Sequence, residues 1–399
     1  EANLFFTTIT DADFTGVDLT NAQVNLILGC PAALPPGWLC IDNALVGLGA
    51  DLVNANLSGA DLSGVNLSGV NLTGANLTGA NLTGADLSNA TMTNTDLAGA
   101  DLAGADLTGT SLAGADLAFV HAVGLAVCPT ALPSNWACIN QNLVGPSADL
   151  TDAQLAGEDL SNMTLTNVDF TGANLAGADL AGANLTSATL TGANLTSTDL
   201  SSANLFWSNT GGADLSTAVL YGANVRAVLE CPSGLPPGWV CTNNALVGPG
   251  ANLTNASLAN TDLIGQDLSG ANLSSANLSN ATLSNANLAG TILSNTNLNG
   301  VDLAGADFTG TTMNTTKVNG MHAVALLACP VALPSSKWSC INQNLVGPAA
   351  DLADAVLAGA DLSGMDLSSA DFPNANLSGA NLSGATMAST DLTDANLTF

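Results

Sequence analysis

The sequence predicts a solenoid, a fold built by stacking short repeats. Three observations predict it: a strict five-residue beat, an apolar pair inside each beat, and the near absence of anything else. From Ala75 the chain reads ANLTGANLTGADL, and the phrase A-(D/N)-L-(S/T)-G returns from Leu4 to Leu397. A period of five suits neither a helix at 3.6 nor an alternating strand at 2.0. A repeat this short buries its apolar face only by stacking on its neighbours.

The beat is indexed on its central residue. A short run, Leu4 to Val24, opens the chain, followed by Leu52 to Leu117, Leu150 to Val225, Leu253 to Val318 and Leu352 to Leu397. Within each run the register never slips. Centres are Leu or Phe, with occasional Val, Ile, Met or Thr, and Ala usually stands two residues before. These are the reliably apolar positions, so they point inward. The Asn or Asp before the centre and the Ser/Thr and Gly after it face water or form corners.

These motifs resemble the pentapeptide-repeat family, and the resemblance covers the chain except for four short inserts. It implies an all-β fold, a right-handed quadrilateral β-helix with four pentapeptides per coil, running as one continuous solenoid over residues 1–399. Ala suits the narrow axis of such a helix, because a larger side chain there would overpack it. Coils would stack through backbone hydrogen bonds at roughly 4.8 Å, the strand spacing. The motif is specific for fold and nearly silent on function. The hydrophobic fraction of 47% is mostly this Ala/Leu core. No run of 18 apolar residues interrupts it, so no membrane-spanning helix is expected.

The inserts occupy residues 30–47, 128–145, 231–248 and 329–347. Each carries C-P-x-x-L-P-x-x-W-x-C, one residue longer in the last, with the pairs Cys30/Cys40, Cys128/Cys138, Cys231/Cys241 and Cys329/Cys340. An N-x-L-V-G or N-L-V-G phrase follows. Zinc would need four ligands, usually closely spaced, and each insert offers only two cysteines. A local disulfide needs two cysteines and an oxidising compartment, and is the preferred reading. Closing a ring of this size stabilises by about 3 kcal/mol. Trp38, Trp136, Trp239 and Trp338 are expected to pack over the bridges as a mini-core, with carbohydrate stacking as the alternative. Pro35 and Pro36, like Pro236 and Pro237, stiffen the ring.

First cysteines recur at intervals of 98, 103 and 98 residues, which makes four super-repeats of about a hundred. Inserts one and three share LPPGW. Inserts two and four share INQNLVGP and a His seven residues before the first Cys, His121 and His322. Like inserts are 201 residues apart, so the deeper unit is a doublet repeated twice. The head run and the tail run together equal one interior run, as a head-to-tail polymer or a segment of a longer array would show. Non-closing end contacts generate filaments. Phe5, Phe6 and Phe399 are the expected end-to-end interface, in place of polar caps.

The formal charge is −29, with Arg226, Lys317 and Lys337 the only cationic Lys or Arg residues. Nothing here could neutralise a phosphate backbone, so nucleic acid is excluded as a partner. Acidic residues fall mostly in the slot before the centre, as at Asp51, Asp61, Asp86, Asp96, Asp101 and Asp106. They should form ladders, with interspersed Asn diluting repulsion. Weak Ca²⁺ binding to such ladders is conceivable, but no dedicated loop is present and a solvated polar face is the simpler reading. No other cofactor or metal is expected. N-L-(S/T) triplets match the glycosylation pattern only because the repeat creates them. The two His stand at equivalent repeat positions, and no triad or phosphate loop is found, so the chain is not expected to be an enzyme.

Paired cysteines, few lysines and the acidic surface together indicate a secreted, extracellular or cell-surface protein. The leading expectation is a structural protein, a filament- or sheath-forming β-solenoid that stacks head to tail with copies of itself. The alternative is an adhesin-like stalk or binding module whose Trp-bearing inserts contact a glycan or surface. The family resemblance also implies a third role, an acidic DNA mimic that inhibits gyrase, which the length and the regular inserts argue against.

Overall fold

Each pentapeptide has three jobs, and the side chains divide them. In the computed structural model, which describes residues 2–398, the centre and the preceding Ala are buried: Leu52, Leu57, Leu62 and Leu67 are wholly inside, as are Ala75, Ala85 and Ala100. The chain then turns. The N–H of Ala55 donates to the Leu52 carbonyl at 2.9 Å, closing a four-residue turn. Its third residue takes a positive φ, 58° at Asn54 and 66° at the equivalent Gly59. That left-handed corner is why the fifth position is Gly or Asn.

Stacking sets the coil length. Parallel bridges join Asp51 to Asn71, Asn56 to Asn76, Asp61 to Asn81 and Asn66 to Asp86, on four successive columns. Each bridge spans four pentapeptides, so four pentapeptides make one coil. Along a column each backbone group finds its partner in the next coil: Leu52 N–H donates up to the Asn71 carbonyl (2.8 Å), and Asn71 N–H donates down to the Ala50 carbonyl (2.9 Å). The helix is all-β without long strands, and the family-implied quadrilateral is what the columns form. Among the described residues no helix is long and apolar enough to cross a membrane.

The slot before the centre is a corner brace. Asn71 Oδ1 accepts hydrogen bonds from the Thr73 N–H (3.2 Å) and hydroxyl (2.8 Å), and Asp61 does the same for Ser63. Asn and Asp hold such a turn through a side-chain oxygen that mimics a backbone carbonyl. Where Thr replaces Ala in the core, its hydroxyl is satisfied at once: Thr95 donates to the Leu72 carbonyl at 3.0 Å. Without that bond a buried hydroxyl would cost about 1–3 kcal/mol.

The chain forms two compact units, Glu1–Thr196 and Ser197–Phe399. Each holds two inserts, one of each sequence type. In the first unit the bridge step lengthens at Gln23–Asp51 and His121–Asp149, and in the second at Asn224–Asn252 and His322–Asp351. An insert thus adds eight residues to one coil, or nine in the last case, and stacking resumes in register. From Asp51 to His121 is fourteen pentapeptides, three and a half coils, so the two inserts of the first unit lie on opposite faces. Asn252 and His322 are separated in the same way, with the same result inside the second unit.

The narrow axis gives a direct test. Ala100 is fully buried among coils whose spacing the backbone sets. Ala100→Leu should destabilise the first unit by about 1–3 kcal/mol, seen as a lower urea midpoint by circular dichroism.

Candidate interaction surface

The four inserts break the repeat, and each is built the same way. The proline-rich segment ends in a turn in which the Trp N–H donates back three residues, Trp38 to Pro35 (3.1 Å), Trp136 to Pro133 (3.2 Å), Trp239 to Pro236 (3.1 Å) and Trp338 to Ser335 (3.1 Å). In the LPPGW inserts Pro stands second and Gly37 or Gly238 third, with φ of 81° and 83°. That is the residue order a type II turn demands.

A two-stranded antiparallel hairpin follows, which the sequence reading did not foresee. Strands β1 (Leu39–Ile41) and β2 (Ala44–Val46) form the first, β3 (Ala137–Ile139) and β4 (Asn142–Val144) the second. The second unit has β5 (Val240–Thr242) with β6 (Ala245–Val247), and β7 (Ser339–Ile341) with β8 (Asn344–Val346). Both residues of each connecting turn have positive φ, for example Asp42 (44°) and Asn43 (64°), or Asn140 (46°) and Gln141 (61°). This is the type I′ geometry that matches strand twist. Two adjacent Asn, Asp or Gln residues between apolar triplets were the available signal.

Half of each insert belongs to the wall rather than to a projecting knob. β2, β4, β6 and β8 are buried throughout. Leu45 N–H donates to the Val24 carbonyl (2.9 Å), and Leu143 to Ala122 (2.9 Å). The hairpin thereby supplies the backbone partners that its lengthened coil would otherwise lack. The outer half is closed by Cys30–Cys40, Cys128–Cys138, Cys231–Cys241 and Cys329–Cys340, with Cα separations of 5.9, 6.1, 5.9 and 6.2 Å.

The tryptophans lie against glycine. A Cβ on Gly47, Gly145, Gly248 or Gly347 would fall 2.5, 2.4, 2.3 or 2.5 Å from the ring of Trp38, Trp136, Trp239 or Trp338. The Gly that ends each N-x-L-V-G phrase is therefore a seat for an indole ring. Trp338 is buried and the other three are half-buried.

Phe5 and Phe6 form an edge-to-face pair with centroids 4.5 Å apart, on an outer corner one coil before the first hairpin. Phe399 lies outside the described residues. The pair recurs one doublet on as Phe206 and Trp207, with centroids 5.1 Å apart and planes at 15°, one coil before the third hairpin. The aromatic pair thus recurs with the doublet. The match of NLFF at residues 3–6 to NLFW at 204–207 was the available signal for Phe206 and Trp207, and Arg226 stood out in the sequence only as a rare cation.

Polar columns run along both units. Asn amides bridge successive coils, from Asn81 Nδ2 to Asp61 Oδ1 (3.1 Å) and from Asn287 Nδ2 to Asp267 Oδ1 (3.0 Å). Elsewhere Asp stacks directly on Asp, as in Asp351, Asp371 and Asp391. His121 stands between Asp101 and Asp149, and His322 between Asp302 and Asp351. Their Nδ1 atoms are 3.6 and 3.7 Å from the upper carboxylate, beyond a good hydrogen bond. Among the described residues no three His, Cys, Asp or Glu side chains converge as a metal site would require.

At some corners the brace also makes the carboxylate more acidic. Hydrogen bonds from the Ser63 hydroxyl, then its N–H, hold Asp61 below its ordinary value, and Thr108 does so for Asp106. Asp366 is lowered most, to about 2, first by Lys337 and then by Ser368. Lys337 Nζ reaches Asp366 Oδ2 at 2.8 Å, tying the turn of the fourth insert to the following coil. In the third insert Gln266 does the same job, donating to the Gly238 carbonyl.

A family model described as "Pentapeptide repeats (8 copies)" matches residues 50–89, 80–118, 147–180, 165–201, 198–227, 250–285, 283–320, 350–388 and 361–398. Among solved structures, HetL of the cyanobacterium Nostoc sp. strain PCC 7120, a pentapeptide repeat protein involved in heterocyst differentiation regulation, is 27% identical. That match covers 82% of this chain and 88% of HetL, with a TM-score of 0.14. A pentapeptide repeat protein of the Arabidopsis thaliana thylakoid lumen is 24% identical over 38% of this chain and 65% of its own, with a TM-score of 0.14. QnrB1, a plasmid-mediated fluoroquinolone resistance protein, is 16% identical over 61% and 88%, with a TM-score of 0.16. No curated protein matches the chain.

Two outcomes are expected from this geometry. Gly145→Ala must displace the Trp136 ring, so amide exchange at Leu143 and Val144 should quicken on the order of tenfold to a hundredfold, read by mass spectrometry. Asp366 has a depressed folded pKa, so its contribution to stability is present above about 3.8 and is lost as pH falls towards about 2. Carbon-13 titration of the Asp366 carboxyl should give a midpoint near 2, rising in Lys337→Met.

Proposed function

Since the chain belongs to the pentapeptide-repeat family, we propose that it is a structural protein, an extracellular β-solenoid that stacks end to end into a filament or sheath. The observation that carries this reading is the backbone ladder. In each unit the columns pass their hydrogen bonds to the coil four pentapeptides on, and resume the pattern after each insert. A coil built this way is a template for the next, because unpaired N–H and C=O groups at a sheet edge recruit a matching edge.

Other features serve the same end. Four disulfides staple the hairpins at nearly regular intervals and suit an oxidising exterior. A net charge of −29 keeps such bodies apart sideways, so axial stacking is favoured over random clumping. Opposed inserts within each unit would give lateral contacts on two sides of a fibre. The insert tryptophans are engaged with their own hairpin glycines, so a stalk presenting those rings to a ligand has less support.

Electron microscopy of the purified, non-reduced protein tests the proposal. Filaments of constant width that lengthen with concentration are expected. Particles that remain single at high concentration would overturn it.

A further inference from the structure

We propose that the corner groove beside the hairpin of β5 and β6, with Trp207 as its platform, binds a neutral pyranose unit of a polysaccharide. This goes beyond the structural role and does not depend on filament formation.

Trp207 occupies a corner position that elsewhere most often holds Gly, Asn or Ser. Its φ is 59°, a region that bulky side chains rarely adopt. It is 56% exposed, so burial of the ring does not repay the strain. A bulky, exposed ring held in a backbone conformation that favours Gly or Asn is a candidate site kept for use. The ring is nonetheless held firmly. Phe206 stacks on it, and the Arg226 guanidinium lies 4.8 Å from the Phe206 centroid. Arg226 is fixed in turn by its Nη1–H donating to the Thr254 carbonyl at 2.8 Å.

The groove beside this platform is lined by Trp207, Arg226, Asn244, Asn255 and Ser257. Asn244, Asn255 and Ser257 are exposed. A flat aromatic face accepts the C–H face of a pyranose ring. Amides and a hydroxyl at its rim offer both donors and acceptors to the sugar hydroxyls. The strongly acidic surface disfavours anionic ligands, which selects a neutral sugar. A protein partner would want a broad apolar centre, whereas this is one exposed indole flanked by amides.

Part of the arrangement recurs one doublet away, with the aromatic pair edge-to-face there and stacked here. In the first unit Phe5 and Phe6 stand where Phe206 and Trp207 do. Asn25 replaces Arg226 and donates to the Val53 carbonyl at 2.7 Å, the equivalent of Thr254. Asn43 and Asn54 take the rim positions. An ornamental aromatic pair would not need a side chain tied to the equivalent carbonyl and the same Asn rim one doublet away.

Isothermal titration of the full, non-reduced chain with cellohexaose, laminarihexaose and chitohexaose tests the site. Binding to at least one of them at two sites per chain is expected. Trp207→Ala, which reduces strain and so should fold normally, is expected to leave one site. Trp207→Phe is expected to weaken the Trp207 site about tenfold or less. Absence of binding to all three sugars would overturn the proposal, as would wild-type stoichiometry and affinity in Trp207→Ala.

Discussion

Along each column a backbone amide finds its partner in the neighbouring coil, and most other features follow from that constraint. Five residues cannot form a strand long enough to pair on its own. Four such segments, bent through four corners, return the chain to a position one strand spacing above its start. The corner must then be tight, which calls for a residue tolerant of positive φ and a side-chain oxygen to hold the turn. The interior must be narrow, which calls for Ala beside Leu. Asn54, Asp61, Leu62 and Ala75 are each one of those requirements made visible.

The inserts show how rigid the constraint is. A loop of arbitrary length would leave a gap in one column, with orphaned N–H and C=O groups above and below it. Instead each insert contributes a hairpin whose inner strand is buried and hydrogen-bonded to the coil beneath. Unsatisfied buried backbone groups are rare for this reason. The fourth insert tolerates one extra residue because the addition falls in its outer turn, where Lys337 anchors the chain to Asp366. The disulfide and the tryptophan stiffen the outer half, which has little core of its own.

Charge is handled within the same geometry. Stacked carboxylates a strand spacing apart would repel. An Asn between two Asp replaces repulsion with a hydrogen bond, as Asn81 does over Asp61. Asp61 and Asp106 also accept from the Ser63 and Thr108 hydroxyls two residues on, which stabilises the anion. The surface can therefore be densely acidic while its corners remain well held.

The sequence by itself determined the solenoid, its register, the inward Ala and Leu, and which cysteines could meet. These depend on local periodicity and on neighbours ten or eleven residues apart, so the order of residues suffices. The hairpins were half legible: paired Asn, Asp and Gln at the tips marked turns, but only stacking reveals that β2, β4, β6 and β8 complete the wall. That Gly47 seats Trp38 depends on a ring folding back across nine residues. The opposed faces within each unit depend on fourteen pentapeptides being three and a half coils, which requires the coil length first. The platform of Phe206 and Trp207 had a sequence signal in its twin at Phe5 and Phe6. Its brace by Arg226 and its rim at Asn244 and Asn255 come from successive coils. Only the stacking of those coils brings them to one corner.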